Sequence, residues 1–366
     1  MFCCAPQLYF IRCQKLVGAP FGGVAMKKTR KTETYIVIGG LGHLGLTVSK
    51  MLAEQGKDVI IFDLNIPSEH HELGNIDFHY GDITKLEDLD LLIKALEGTV
   101  YVIHCASIVS ISSAANPQIY SVNITGTKNI VRVCSSRKVK RLVYVSSVHA
   151  LEEKPHGTEI KEQEIFSYNK VKGHYAKTKA RASQIVLDAT QKGLNAVIVL
   201  PSGIIGPNDF NIGHTTRLIV DYLNGDLKVA VKGGYDFVDV RDVASGIINA
   251  LEQGKNGQSY ILSNKFFPLY ILLGTLSKVS AQKPIKTYLP MWFIRPLAPL
   301  AELYYKVRKV KPLFTPYSLY ALKSNAKFSH QKADEELSYS TRPLEETLKD
   351  TIDWLWAHGF INSTSF

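Results

Sequence analysis

Tyr175 and Lys179 are the residue pair in this 366-residue chain whose types and spacing most clearly suggest chemistry. Residues four apart on a helix share a face, so a helix starting near Tyr175 would hold the phenol beside the ammonium. The positive charge would favour the phenolate and lower the pKa of Tyr175. Such a tyrosine can give or take a proton at a carbonyl or carbinol oxygen near neutral pH. In isolation this spacing is common by chance, and an exposed helical pair is the competing interpretation.

A hydroxyl group that could bind the same substrate oxygen lies one element earlier in the chain. Ser147 follows Arg141–Val145, an apolar run typical of a buried strand. Ser146 is the neighbouring alternative for this role. A serine, a tyrosine and a lysine at one site would suit proton transfer at an oxygen atom bound to carbon.

The stretch Thr34–Asp63 predicts the elements that would hold a cofactor beside these residues. Its first strand is the β-branched run Tyr35–Ile38, and its second strand is Val59–Phe62. We expect a helix between them from about Gly42 to Gly56. A helix that starts at a glycine turn directs its first N–H groups and the positive end of its dipole at phosphates. The stretch therefore predicts a dinucleotide site, with a glycine turn in an ordinary βαβ unit as the alternative.

Three glycines and one acid give this turn its specificity. Gly39 lets the chain turn off the strand, Gly42 lets a pyrophosphate approach the backbone, and Gly45 lets the helix pack close to the sheet. Asp63 stands at the end of the second strand. An acid there accepts hydrogen bonds from ribose hydroxyls and repels a 2′-phosphate, and no arginine follows closely. We therefore expect NAD as the cofactor, with NADP less favoured.

Strand and helix patterns alternate regularly up to about residue 200. This alternation predicts an α/β fold with a doubly wound parallel sheet of the Rossmann type. Ligands of such sheets bind outside the carboxyl ends of the strands, so the residues at the strand ends should meet in one crevice. The further strands that we expect are Ile76–Tyr80, Val100–Ile103, Arg141–Val145 and Ala196–Leu200. The further helices are Thr84–Leu96, Pro117–Val133 and His174–Thr190.

The alternation weakens beyond residue 200. The patterns there predict a short strand at Ser259–Leu262 and helices at Leu269–Val279, Pro296–Val310 and Pro343–Ala357. These elements are too few for a second independent core. We therefore expect an NAD-binding domain at 34–200 and mainly a smaller C-terminal α/β substrate lid at 201–366, with some later elements returning to the first domain. Residues 1–33 are expected to form a disordered N-terminal extension.

Composition limits the classes of partner and compartment. The net charge is +10, but the basic residues are not interleaved with aromatic ones, which argues against nucleic-acid binding. The five cysteines show no repeated spacing, which favours a reducing, cytoplasmic compartment, and Cys3, Cys4 and Cys13 have no nearby histidine that would indicate a metal site. No uncharged apolar run is long enough to predict a membrane span. The expected partner is a small-molecule substrate.

The order of these motifs resembles that of the extended short-chain dehydrogenases/reductases, within the NAD-dependent epimerase/dehydratase superfamily, from about Thr34 to Gly359. The glycine motif of the family is matched from Ile38 to Gly45, with Ile38 in place of a threonine. The segment Leu200–Pro207 is similar to the family's loop beside the nicotinamide. The resemblance implies catalytic roles for Ser147, Tyr175 and Lys179. It implies cofactor contacts at Gly39, Gly42, His43, Leu44, Gly45, Asp63, Asp82, Ile83, Ala106, Asn123, Tyr175, Lys179, Pro201 and Ile204.

Two differences from the motifs of particular enzymes narrow the branch of the family that this chain resembles. Sugar dehydratases place an acidic pair just after the catalytic hydroxyl, whereas Val148-His149-Ala150 follows Ser147 here. Nucleotide-sugar epimerases commonly carry Arg-Asp-Phe/Tyr where this chain has Tyr235-Asp236-Phe237, so an arginine that binds pyrophosphate is missing. With these two groups of enzymes set aside, the chain is similar to the dihydroflavonol-reductase and 3β-hydroxysteroid-dehydrogenase branch of the family.

The expected function is that of an NAD(P)-dependent oxidoreductase, which transfers hydride between nicotinamide and a secondary alcohol or ketone with Tyr175 as acid and base. The alternative is a nucleotide-sugar epimerase or dehydratase, which would need another pyrophosphate clamp, with Arg217 and Lys228 as candidates. A non-catalytic NAD(P)-sensing regulator is a third hypothesis. We expect His149 on a loop surface, and we leave Arg241 open between a ligand contact and an ion pair. The resemblance also implies a homodimer as a candidate state.

Overall fold

The structure is a computed structural model that describes residues 32–66, 76–111, 115–298 and 315–361. The described strands are β1 (Glu33–Ile38), β2 (Asp58–Asp63), β3 (Ile76–Tyr80), β4 (Thr99–His104), β5 (Arg141–Val145), β6 (Ala196–Pro201), β7 (Gly203–Ile205), β8 (Ala230–Val231), β9 (Gly234–Asp239), β10 (Ser259–Leu262), β11 (Lys265–Pro268) and β12 (Tyr288–Leu289). The described α-helices are α1 (His43–Glu54), α2 (Leu86–Lys94), α3 (Pro117–Tyr120), α4 (Thr127–Ser136), α5 (His174–Thr190), α6 (His214–Leu223), α7 (Val240–Glu252), α8 (Leu269–Ser280), α9 (Met291–Ile294), α10 (Pro316–Lys323), α11 (Gln331–Leu337) and α12 (Leu344–Ala357).

Seven strands form one parallel sheet in the order β10-β6-β5-β4-β1-β2-β3. The chain first builds outward from β1 to β3 and then crosses to the other side of β1 with β4. Ligands of doubly wound sheets bind where the strand order reverses, which here is the carboxyl edge between β1 and β4. This topology confirms the predicted Rossmann-type fold. The short strand predicted at Ser259–Leu262 joins this sheet as β10.

The central strand β1 is buried on both faces, and its side chains alternate between two hydrophobic cores. Val37 packs into the core formed with α1 and α7. Ile36 and Ile38 face the opposite core, formed with α2, α4 and α5. All three side chains are 0% exposed. Burying an aliphatic side chain of this size contributes about 1.5–3 kcal/mol, so β1 is a strongly anchored base for the glycine turn that follows it.

The C-terminal elements add two small sheets and several helices. Strand β9 lies between β7, which is parallel to it, and β11, which is antiparallel. Strands β8 and β12 form a separate parallel pair. Helix α8 packs against α12. The division of the chain into an NAD-binding domain and a substrate lid stays a prediction.

Several elements differ from the sequence-based expectation. The helix predicted at Pro117–Val133 is divided into α3, a π-helical segment at Ser121–Gly126, and α4. Most of the helix predicted at Pro296–Val310 lies outside the described residues, as does nearly all of the predicted N-terminal extension. Helices α6, α9, α10 and α11 were not predicted. Their apolar patterns are short, although α10 does begin with a recognisable signal, Thr315 as its N-cap followed by a proline. No helix in the described part of the chain is both long and apolar enough to cross a membrane.

Arg241 illustrates how the later elements are held together. Its guanidinium donates to both oxygens of Asp239, at 2.9 and 2.7 Å, and to Asp350 of α12 at 2.6 Å. Arg342 donates to Asp242 at 2.8 Å. Asp239 is 1% exposed, and the hydrogen bonds and charge of Arg241 and Arg342 outweigh the effect of burial and lower its pKa. Arg241 therefore forms an ion-pair network. Of the two roles that the sequence left open for it, a ligand contact and an ion pair, the structure shows the ion pair.

Candidate active site

One cavity of about 670 Å³ lies at the carboxyl edge of the sheet. The glycine turn after β1 lines one side of it, and the predicted catalytic residues line another. The residues of the predicted site that line this cavity are Gly39, Gly42, His43, Leu44, Gly45, Ser147, Tyr175, Lys179, Pro201 and Ile204. Residues more than 130 positions apart in the sequence therefore share one chamber.

The glycine turn is built from positions that have no room for a side chain. Gly39 has φ +75°, in the left-handed region that favours glycine, and a Cβ there would lie 2.5 Å from the Cα of Ala106. A Cβ at Gly45 would lie 2.2 Å from the carbonyl oxygen of Gly39. The turn therefore brings α1 against the end of β1 more closely than any other residue type would allow.

The N-terminus of α1 is suited to an anion. The helix begins after Gly42, and no side chain caps its first N–H groups. A Cβ at Gly42 would meet only the carbonyl oxygen of Gly39, at 3.4 Å, so the backbone is accessible from the cavity. The His43 Nε2 is 2.9 Å from the carbonyl oxygen of Pro207. Uncapped N–H groups behind a glycine surface fit the pyrophosphate of a dinucleotide.

Asp63 stands beside this turn at the end of β2. Its Oδ2 accepts a hydrogen bond from the Leu41 N–H at 3.1 Å, and its Oδ1 accepts one from Asn65 at 3.3 Å. The carboxylate is therefore fixed next to the turn while remaining partly exposed. This is the position at which an acid can receive the hydroxyls of an adenosine ribose.

Tyr175, Ser147 and Lys179 converge at the end of β5. Tyr175 and Lys179 lie in the first turns of α5 and are 8% and 3% exposed. The Lys179 Nζ donates to the carbonyl oxygen of Val145 at 2.8 Å, which fixes the amine at the end of β5. Ser147 lies directly after β5, and its Oγ accepts from the His149 N–H at 3.3 Å. Ser146 instead bonds Ser183 at 2.6 Å, so Ser147 is the serine available to a substrate.

The predicted lowering of the Tyr175 pKa by Lys179 is wrong for this structure. Burial raises the pKa of Tyr175 to about 12, although the hydroxyls of Ser147 and Ser107 beside it act in the opposite direction. Burial also lowers the pKa of Lys179 to about 7. A desolvated ammonium with a pKa this low carries only part of a charge at neutral pH, so its effect on the phenol is reduced. The phenol is thus held as a proton donor.

The other predicted cofactor residues lie around the cavity rather than in its wall. Ala106 packs against Gly39, and Ile83 packs against Gly126 in the π-helical segment. The Asp82 Oδ1 accepts from the Thr84 N–H and hydroxyl at 2.8 and 2.7 Å, where it closes the turn before α2. Direct cofactor contacts by these residues stay predictions.

Asn123 has a different environment from the one that its predicted role suggests. Its Oδ1 accepts from the Ile108 N–H at 2.8 Å, and its Nδ2 donates to the Ile108 carbonyl at 3.1 Å and to the Thr178 hydroxyl at 3.0 Å. All of these partners belong to the protein. In this structure Asn123 therefore ties the loop after β4 to α5, next to Tyr175, and its contact with a cofactor stays a prediction.

His149 does not lie on a loop surface, so that prediction is wrong. Its Nε2 is 3.1 Å from the Tyr235 hydroxyl, and its Nδ1 is 3.4 Å from the Tyr317 hydroxyl. The ring stacks on Tyr235, with centroids 5.7 Å apart, and meets Tyr175 edge-on at 6.1 Å. Burial lowers the pKa of His149 to about 4, so the ring is neutral and each nitrogen serves one tyrosine.

Sequence reasoning assigned no role to two hydroxyl groups that lie in the cavity. Ser107, in the loop after β4, faces the phenol of Tyr175, and only its position after a strand could have indicated it. Tyr317 on α10 reaches the site from the far end of the chain, and its ring lies 2.3 Å from where a Cβ of Gly173 would stand. No local signal marks Tyr317, because its neighbours in space are distant in sequence.

Comparison with known proteins identifies the family. Residues 35–263 match the model of the NAD dependent epimerase/dehydratase family. The chain belongs to this family. A Synechocystis protein provisionally named dihydroflavonol 4-reductase is 30% identical over 342 residues, which cover 90% of this chain and 97% of that protein. The Arabidopsis thaliana 3β-hydroxysteroid-dehydrogenase/decarboxylase isoform 1 is also 30% identical, over 90% of this chain and 81% of that protein.

Solved structures support the same assignment of the fold. The structure of gox2253 is 29% identical and has a TM-score of 0.77, covering 91% of this chain and all of that one. The UDP-glucose 4-epimerase of Thermotoga maritima has a TM-score of 0.72 at 20% identity, covering 88% and 98% of the two chains, and shares the fold. The resemblance found in the motif order is thereby confirmed. The protein is a member of a family of NAD-dependent enzymes.

Proposed function

We propose that this family member is an NAD-dependent oxidoreductase that interconverts a secondary alcohol and a ketone. The observation that carries this proposal is the meeting of Tyr175, Ser147 and Lys179 with the glycine turn in one cavity. An acid–base tyrosine facing a dinucleotide site is the arrangement that hydride transfer at a carbinol carbon needs.

The side chains around the substrate oxygen have different roles in proton transfer and in orientation. A bound nicotinamide supplies or accepts the hydride. Tyr175 gives its phenolic proton to the carbonyl oxygen during reduction and takes a proton from the carbinol during oxidation. Ser147 orients that oxygen by a hydrogen bond, and Ser107 lies beside the same phenol. Lys179, one helical turn after Tyr175 and held by the Val145 carbonyl, keeps its amine in the wall of the same cavity.

The proposed cofactor is NAD rather than NADP. Asp63 supports this choice, because a carboxylate fixed beside the turn by Leu41 attracts ribose hydroxyls and repels an added phosphate. The residues from Leu64 to Thr84 contain no lysine or arginine that could hold a 2′-phosphate.

The proposed substrate is bulky, apolar and uncharged. Lys179 is the single lysine or arginine among the described residues that line the cavity, and it is already bonded to Val145. Tyr235 occupies the position where an epimerase arginine was expected, and its hydroxyl is engaged by His149. The part of the cavity wall away from the glycine turn is largely aliphatic and aromatic, and includes Leu218, Leu227, Val231, Phe237, Leu269 and Leu273.

A nucleotide-sugar substrate has less support. Its pyrophosphate would need a cation in the cavity, and the two sequence candidates do not provide one. Arg217 is paired with Asp221 at 2.6 Å, and neither Arg217 nor Lys228 lines the cavity. The geometry therefore favours a ketone or alcohol without phosphate groups.

The test is turnover of a panel of bulky cyclic ketones with NADH, alongside UDP-sugars, followed by nicotinamide absorbance and product analysis. We expect ketone reduction that is lost in Tyr175→Phe, by about 10²–10⁴-fold, while NADH still binds. Tyr168→Phe is the matched control, because Tyr168 is an exposed tyrosine just before α5. Epimerisation of a UDP-sugar without reduction of any ketone would overturn the proposal.

We further propose cytoplasmic residence and a homodimer formed through the segments Pro117–Val133 and His174–Thr190. The support for the first is the cysteine pattern, together with the unpaired state of Cys105 and Cys134. The support for the second is the family resemblance alone. Sedimentation equilibrium of the purified chain tests the dimer.

A further inference from the structure

A surface patch outside the active-site cavity combines exposed aromatic rings with lysines. We call it the Gly233 patch and define it by Phe266, Trp292, Phe293, Lys232, Lys323 and Lys327. Phe266 and the three lysines line one depression around Gly233-Gly234, and Trp292 and Phe293 directly follow Met291, whose side chain reaches Gly233. A Cβ at Gly233 would lie 2.9 Å from the Met291 side chain at the start of α9, and one at Gly234 would lie 2.5 Å from the Phe266 ring.

The aromatic residues of the patch are strongly exposed. Trp292 is 76% exposed, Phe293 is 48% exposed and Phe266 is 44% exposed. The rings of Trp292 and Phe293 contact each other edge-on, with centroids 5.9 Å apart. Neighbouring aromatic side chains that remain in water at this level usually mark a surface that binds something.

Among the described residues that line the depression beside Phe266, the charged side chains are lysines. Lys232, Lys323 and Lys327 line the same surface depression as Phe266, and none of them forms an ion pair with a described residue. Residues 253–298 and 315–333, which include most of the patch, contain nine lysines or arginines and no aspartate or glutamate. The chain as a whole has 43 basic and 33 acidic residues, so these two segments are unusually rich in positive charge.

We propose that the Gly233 patch docks the protein on an anionic lipid surface. Tryptophan suits the boundary between water and lipid because its ring is apolar and its N–H is polar. Lysines keep their charge among the headgroups while their methylene stems cover apolar surface. A second copy of this chain is a poor occupant, because a symmetric contact would oppose lysines to lysines without an acid between them.

The Gly233 patch lies next to the active-site cavity. Leu322 lines both the active-site cavity and the depression of the Gly233 patch. An apolar substrate dissolved in lipid would therefore arrive close to the cavity. This consequence rests on the proposed function, whereas the docking itself does not.

The test is flotation of the full chain with vesicles of phosphatidylcholine alone and of phosphatidylcholine with an equal amount of phosphatidylglycerol. We expect binding to the mixed vesicles that weakens with added salt, and little binding to the neutral ones. Lys232→Glu with Lys323→Glu and Lys327→Glu should lower the partition coefficient by at least about 100-fold, because each lysine near an anionic surface contributes a factor of about five. The double variant Trp292→Ala, Phe293→Ala should also lose most of the binding.

Matched controls separate the patch from general effects of charge and hydrophobicity. Trp356→Ala removes a tryptophan that is 54% exposed on α12, and Lys128→Glu with Lys140→Glu and Lys192→Glu reverses three exposed lysines elsewhere. Both controls should bind vesicles nearly as wild type does. NADH binding and circular dichroism verify that every variant is folded.

Three results would overturn the docking proposal. The first is vesicle binding that the patch variants leave unchanged. The second is a shift in sedimentation, rather than in vesicle binding, on substitution of Trp292 and Phe293, which would make the patch a protein interface. The third is equal capture by a single-stranded oligonucleotide with the same dependence on the three lysines, which would indicate a nucleic-acid partner. None of these results bears on ketone reduction, so the proposed function would stand or fall separately.

Discussion

Replacing Asp63 tests the assignment of the dinucleotide site most directly, because it needs no knowledge of the substrate. The Asp63 carboxylate is held beside the glycine turn by the Leu41 N–H at 3.1 Å. Asp63→Ala removes the charge and this hydrogen bond together. Asp63→Asn removes the charge but keeps an oxygen for Leu41, so the two variants separate the loss of charge from a change in the turn.

The expected magnitude follows from the two interactions that the carboxylate makes. A hydrogen bond to a charged group contributes about 1.5–3 kcal/mol, so losing one to the ribose should weaken NADH binding about 10–150-fold. Like charges about 5 Å apart at a partly exposed site repel by about 2–3 kcal/mol, and removing that repulsion should strengthen NADPH binding at least about tenfold. The ratio of the NADPH Kd to the NADH Kd should therefore fall at least about 100-fold in both variants.

The assay is calorimetric titration of wild type and variants with NADH and NADPH at fixed ionic strength. Asp77→Ala is the control, because Asp77 is an exposed acid on the adjacent strand β3, three residues before the strand ends. It should leave both dissociation constants within about twofold, since an exposed charge distant from the ligand is screened. A wild-type protein that prefers NADPH, or an Asp63→Ala variant with an unchanged ratio, would refute the reasoning.

Three further predictions concern the residues around the site. Burial holds the pKa of Tyr175 at about 12, so alcohol oxidation should rise with pH by up to about tenfold per unit from pH 7, while ketone reduction stays flat; the reverse pattern in pH–rate profiles would count against a protonated phenol. Asp239→Asn should lower the free energy of unfolding by about 3–5 kcal/mol, measured by urea titration, because it leaves Arg241 without its buried partner. Since the folded pKa of Asp239 is lowered, its stabilisation is present above the unfolded pKa of about 3.9 and is lost as pH falls through the folded value; a loss of stability confined to alkaline pH would contradict this sign. His149→Ala should cost about 1–3 kcal/mol of unfolding free energy because the buried Tyr235 hydroxyl and the half-buried Tyr317 hydroxyl lose their partner, and His149→Gln should recover part of that cost; equal stability of all three proteins would exclude the hydrogen-bonded cluster.

The sequence by itself determined the features that are encoded within short segments. The alternation of strands and helices was enough to predict the parallel sheet, because each pattern repeats over a single element. The glycine turn was readable because Gly39 and Gly45 lie within seven residues of each other, and their steric requirement is local. The four-residue spacing of Tyr175 and Lys179 likewise fixed their common face before any tertiary contact was known.

Only the tertiary structure decided what surrounds these residues. His149 gains its partners from Tyr235 and Tyr317, which lie 86 and 168 positions away, so no local pattern could reveal the cluster. The direction of the Tyr175 pKa depends on how much water is excluded from the phenol, and that is a property of the packed site rather than of the lysine beside it. Local sequence thus specifies turns, faces and periods, whereas burial and long-range pairing set the electrostatics with which the site works.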